Sequence, residues 1–148
     1  MTKQLIRFVV VFSVFLLPPG CASTPANPEA DAASPVSRKL VKSTRSWDGR
    51  LLPAYPQGQP EITILRITIP AGSRLHTHFH PVINAGVLLS GQLTVVAKNG
   101  ETLYLKAGDP IVELVNTPHY GVNHGKSPAE IVVFYAGVID SPITVVEP

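Results

Sequence analysis

All five histidines fall between residues 76 and 124, at positions 76, 78, 80, 119 and 124. His76, His78 and His80 recur at every second residue, and on a strand that period turns all three side chains to one face. A neutral imidazole offers a ring-nitrogen lone pair, so histidines spaced this closely are candidate ligands for a borderline divalent metal. Two rings at i and i+2 can share an ion where a strand curves. A third donor must then come from another strand, and His119 and His124 are the candidates. Glu113 is the only acid near the histidines in the pattern; serine nucleophiles, Gly-rich phosphate loops and paired carboxylates at catalytic spacing are absent. Hydrolysis by an acid pair is thereby set aside.

The elements that must carry these residues read as short strands. From Glu61 the run EITILRITI alternates Ile62, Ile64, Ile67 and Ile69 against Thr63, Arg66 and Thr68, with one slip at Leu65, and stops at Pro70-Ala71-Gly72. The run GVLLSGQLTVVAKNGETLYLKAGDP continues the pattern, punctuated at Ser90-Gly91, Asn99-Gly100 and Gly108-Asp109. Asn99-Gly100 reads as a type I′ hairpin. Further apolar runs lie at Ile111–Leu114, Ile131–Tyr135 and Ile143–Val145, and no long window after residue 20 carries a helical stripe. Roughly ten strands of about five to seven residues suit an antiparallel barrel or jelly roll. Trp47, Tyr55 and Tyr104 are expected to pack, and the Pro-rich stretch Leu52–Pro60 to lie across the barrel as an extended arm, a candidate homodimer contact.

At the level of motifs the chain resembles the cupins. Their first motif runs Gly, five residues, His-x-His, three or four residues, Glu, six residues, Gly; here stand Gly72, His78-Phe79-His80, Asn84 and Gly91. The second runs Gly, five residues, Pro-x-Gly, two residues, His, three residues, Asn; here stand Gly108, Leu114-Val115-Asn116, His119 and Asn123. The resemblance implies an all-β fold, the conserved double-stranded β-helix or jelly-roll barrel, as a single domain over about residues 47–146 with the site inside it. It selects His78, His80 and His119 as metal ligands and leaves out His76 and His124. Where cupins place a Glu ligand this chain has Asn84, a weaker neutral donor or an outer neighbour of the ion. Glu113 could supply the missing carboxylate from across the barrel, although a solvent-facing side chain is its default. His76, Glu113 and Asn123 are thus expected around the ligands rather than among them, and Asn123 to brace its turn. Asn116 replaces a Gly and tolerates the left-handed conformation such a turn needs. The donor set admits Fe, Zn, Cu, Ni or Mn and serves Mg and Ca poorly.

Composition frames the rest. The chain has 148 residues, 12 Lys+Arg, 10 Asp+Glu and one Cys, enough for one domain. Two of the basic residues, Lys3 and Arg7, lie in the first segment, so residues 21–148 balance at 10 against 10 (12 − 2 = 10). A neutral body gives no case for nucleic acid. Met1–Arg7 is positive, Phe8–Leu17 is apolar apart from Ser13, and Pro18-Pro19-Gly20-Cys21-Ala22 follows. Residues 1–20 therefore read as a signal peptide, since ten apolar residues span about 15 Å, half of a hydrocarbon core of roughly 30 Å. Gly20-Cys21 resembles a bacterial lipobox, which makes Cys21 a lipidation site and the lipid the membrane partner; Pro18 and Pro19 depart from it and leave ordinary cleavage near Ala22 open. Residues 21–46, rich in Ala, Ser, Pro and Lys, read as a disordered tether. The whole describes an exported envelope or periplasmic protein. Two functions fit it: a metal-dependent enzyme, dioxygenase-like by resemblance to other three-histidine cupins, acting on a small molecule; or a lipoprotein that binds metal or a small ligand without turnover.

Overall fold

A computed structural model describes residues 34–147. The residues expected to form a signal peptide, Cys21 and the first part of the expected tether lie outside the described residues. From Ser37 to Ser43 the chain is exposed and without regular structure, and its first backbone ties to later residues are Leu52 N–H to Thr44 C=O and Ser46 N–H to Arg50 C=O, both 2.9 Å.

Nine strands follow, with no helix among the described residues: β1 (Pro60–Ile69), β2 (His78–Phe79), β3 (Ile83–Ser90), β4 (Gln92–Ala97), β5 (Thr102–Lys106), β6 (Pro110–Val112), β7 (His119–Val122), β8 (Ala129–Val138) and β9 (Val145–Val146). They form two antiparallel sheets, one ordered β1-β8-β3-β6 and the other β5-β4-β7-β2-β9. This is the expected all-β jelly roll, although its strands run from two to ten residues rather than clustering at five to seven. Period-two alternation builds the interior: Leu93, Val95 and Ala97 of β4 and Ile131, Val133 and Tyr135 of β8 are buried while their neighbours are more exposed. Ile69, Leu88 and Ile111, each at most 2% exposed, complete the centre. Each such side chain contributes roughly 1.5–3 kcal/mol by leaving water.

The slip at Leu65 is not an irregularity of the backbone. β1 pairs with β8 without a break from Pro60↔Val138 to Ile69↔Ala129. Leu65, Ile67 and Ile69 share the inward parity, so Ile62 and Ile64 face outward and are 62% and 55% exposed. The Asn99-Gly100 hairpin also differs from expectation. Gly100 has φ +89° but Asn99 has no positive φ, whereas type I′ requires both. Gly100 N–H donates to Ala97 C=O and Ala97 N–H to Glu101 C=O, both 2.9 Å, giving a type I turn closed by a glycine bulge. The Asn99 side chain favours this arrangement by accepting from Glu101 N–H at 3.1 Å. Of the three aromatics expected to pack, Trp47 does so; Tyr55 and Tyr104 are 71% and 76% exposed, Tyr104 on the outward face of edge strand β5.

Candidate metal centre

His78 lies on β2, directly paired with His119 on β7, and both rings turn inward. His80 follows two residues after His78, where a parallel bridge to Val115 and the Asn116 N–H to His80 C=O bond of 2.8 Å hold the chain. Asn116 has φ +53°, the left-handed conformation anticipated for it. The second motif is therefore fastened to the first through the backbone of a histidine. Ring centroids of the three histidines are 4.7–5.1 Å apart, and one ring nitrogen from each lies within 4.8 Å of the others.

Each ring is oriented by its Nδ1. His78 Nδ1 contacts His76 C=O at 2.7 Å, His80 Nδ1 contacts Ile143 C=O at 2.8 Å, and His119 Nδ1 contacts Thr117 C=O at 2.8 Å. A carbonyl only accepts, so each Nδ1 carries the proton and each Nε2 presents a lone pair. This is the outer bracing that metal-bound histidines use. Burial lowers all three below the usual imidazole value, His80 to about 4, which keeps them neutral and ligand-competent near pH 7. His119 Nε2 is buried without a hydrogen-bond partner. An imidazole nitrogen orphaned beside two others is satisfied by a divalent cation, so these residues fit a metal.

Glu113 is buried, not solvent-facing: it is 8% exposed, lines the cavity, and its Oε2 stands 3.6 Å from His119 Nε2. Desolvation pushes its carboxyl up to about 7, and because the same burial lowers His119 the contact is not an ion pair between charged groups. Asn84 is 1% exposed; its amide donates to Val82 C=O at 3.3 Å, its Oδ1 has no partner, and it does not line the cavity. Asn123 donates to the carbonyls of Ile69 (3.0 Å), Pro70 (3.2 Å) and Ser127 (2.9 Å) and accepts from Gly125 N–H (2.8 Å), bracing turns and hydrogen-bonding to none of His78, His80 and His119. His76 is exposed at the cavity mouth, and His124 is exposed and does not line it.

The cavity itself, about 280 Å³, is walled by apolar residues such as Ile67, Leu75, Leu93, Val95 and Val133, with no Lys or Arg in its lining. Tyr135 and Thr144, which sequence reasoning passed over, also line it. Burial raises the Tyr135 hydroxyl to about 12, and its ring stands 5.5 Å from that of His80. The inward parity it shares with Ile131 and Val133 was the available signal. Thr144 Oγ1 lies 3.2 Å from His80 Nδ1.

Comparison with known proteins agrees with this fold. Residues 65–135 match the Cupin domain family. No curated protein matches the chain. Among solved structures, the DMSP lyase DddQ from Ruegeria pomeroyi superposes with a TM-score of 0.51 at 20% identity, over 57% of this chain and 42% of that one. A Lactobacillus farciminis oxalate decarboxylase in complex with formate gives 0.51 at 22%, over 57% and 26%. A cupin-like protein from Thermotoga maritima gives 0.50 at 15%, over 58% and 64%. The chain spans less than half the length of the two enzymes, and at these identities the likeness is one of fold.

Proposed function

We propose that this chain, whose residues 65–135 match the Cupin domain family, is exported, holds one divalent transition metal on the Nε2 atoms of His78, His80 and His119 and acts there on a small molecule. The observation that carries the reading is the set of three inward Nε2 lone pairs, each fixed by an Nδ1–carbonyl contact. A metal bound there supplies Lewis acidity and, for Fe, Cu or Mn, redox chemistry. The chain's own residues do the rest. Apolar walls exclude water from the bound molecule, and a volume of about 280 Å³ limits its size to the small end of ligand sites. With no cationic side chain in the lining, the cavity suits a largely uncharged body whose polar end meets the metal. Dioxygenase-like oxidation is the reaction class we favour. The other reading, a lipid-tethered binding protein without turnover, draws on the Gly20-Cys21 sequence and the tether after it.

The test begins with elemental analysis of full-length protein purified without an affinity tag. One equivalent of metal is expected, with at least a tenfold weaker affinity in His78→Ala and His119→Ala; no stoichiometric metal in the parent ends the proposal. Azide added to the Co(II)-loaded protein should then shift its visible spectrum, as an open coordination position requires. An unchanged spectrum would favour closed storage of the ion.

For the homodimer expected from the Pro-rich arm we propose the outer face of β1, β8 and β3, where Ile62, Ile64 and Phe134 are each more than half exposed. The apolar part of this face, which ends at the Arg66–Glu130 ion pair, marks an interaction surface. Three strands about 4.8 Å apart over about 20 Å of apolar length present roughly 300 Å². A standard interface needs about 800 Å² per partner. The arm, whose Tyr55 and Pro56 border Ile62 and Ala136, extends the surface toward that size, and a second copy is the occupant we propose.

A further inference from the structure

One oxygen of a buried acidic side chain, Glu113 Oε2, has no hydrogen-bond partner. Glu113 follows β6, and Asn84 begins the stretch of β3 that pairs with it: Ala85 stands opposite Val112, and Glu113 N–H donates to Asn84 C=O at 3.1 Å. The two residues are therefore cross-strand neighbours. Both side chains are buried. Only Glu113 reaches the cavity; the Asn84 amide is turned to Val82 C=O.

Glu113 Oε2 and His119 Nε2 face each other at 3.6 Å, and each is buried without a hydrogen-bond partner. The separation exceeds a good hydrogen bond. Toward His119 it is close to the spacing of two donors on one ion, which lie roughly 3–3.5 Å apart when each is about 2.1 Å from the metal. The carboxylate stands outside the trio of donor atoms that lie within 4.8 Å of one another, so a rotation of the Glu113 side chain brings it to an ion shared by all three rings. A buried carboxylate oxygen without a partner is costly, and coordination of a metal is one of the few arrangements that removes the cost.

We propose that the carboxylate of this metal centre has changed strands: Glu113 supplies the fourth protein donor from the end of β6, next to the β3 position where Asn84 stands. This rests on the three-histidine reading above and adds a ligand to it. A divalent ion then sits in a shell of net charge +1 instead of +2, which favours Mn and Fe relative to a purely imidazole shell.

The experiment uses metal-free full-length protein titrated calorimetrically with Zn(II) and with Mn(II). Glu113→Gln is expected to weaken both tenfold to a hundredfold, Mn(II) more than Zn(II). Adding Asn84→Glu to Glu113→Gln returns a carboxylate to the neighbouring strand and should recover at least tenfold. Near-ultraviolet circular dichroism of each metal-free variant checks that the barrel persists. If the parent binds metal and Glu113→Gln binds it equally well, this inference fails while the three-histidine site stands. If the parent binds neither ion, both fail. Loss in Glu113→Gln without recovery in the double variant overturns the exchange between the two positions.

Discussion

The three histidines are held neutral by burial, and this makes the metal-free protein acid-sensitive. An unfolded imidazole titrates near 6.5, whereas His80 in the fold titrates near 4. Between those values the unfolded chain binds a proton that the native ring does not, so stability falls as the pH drops from about 6.5 to about 4. For His80 alone that is about 3 kcal/mol. His78 and His119, also lowered by burial, act in the same direction. Glu113 acts oppositely: its native carboxyl, raised to about 7 from 4.5, holds a proton that the unfolded chain has released, which adds stability as the pH falls from 7 toward 4.5. Three rings against one carboxyl give a net loss. Urea midpoints of the metal-free protein should fall between pH 6.5 and 4, and more steeply in Glu113→Gln. A flat profile would show that the rings are solvated in the native state.

Strand ends, rather than strand centres, set the positions of the ligands. Gly91 joins β3 to β4 with φ +76°, and a Cβ there would stand 2.9 Å from both Ala129 Cα and Pro128 O. Left-handed strain costs roughly 1–2 kcal/mol for a residue with a side chain, and contact with backbone adds to it. Gly91→Ala is expected to lose more than about 2 kcal/mol in urea unfolding. Asn123 gathers the turn after β1 and the loop before β8, so Asn123→Ala should cost about 2–4 kcal/mol through its unsatisfied carbonyls. Because it hydrogen-bonds to none of His78, His80 and His119, the metal affinity of the folded Asn123→Ala fraction should match the parent. A selective loss of metal at unchanged stability would reverse that assignment.

For the molecule as a whole, the outer apolar face and the N-terminal segment predict where the protein lives and how it assembles. Ile64→Asp and Phe134→Asp sit on the outward parity of β1 and β8, away from the metal ligands. Either should shift sedimentation from dimer to monomer while metal stoichiometry persists. A monomeric parent would remove the second copy as the occupant of that face. The export reading rests on residues 1–21 alone. Radiolabelled palmitate should enter the parent expressed in a bacterium and not Cys21→Ser. Equal labelling, or none in either, would leave ordinary cleavage near Ala22 as the processing route.

The barrel and the meeting of three histidines inside it were readable along the chain because both obey local periods. Alternation of two gives a strand its faces, and the spacing of His78, His80 and His119 within two motifs needs no distant information beyond those motifs. The left-handed turn at Asn116 was likewise legible, since Asn is the side chain that tolerates it. Local patterns could not say which face of β1 points inward: an apolar residue reads the same on either side, and only pairing with β8 shows that Leu65 belongs to the cavity and Ile64 to the surface. Nor could they orient Glu113. A carboxylate's surroundings are made by residues far away in sequence, here His119 and the walls of the cavity, and those are assembled only when the two sheets close on each other.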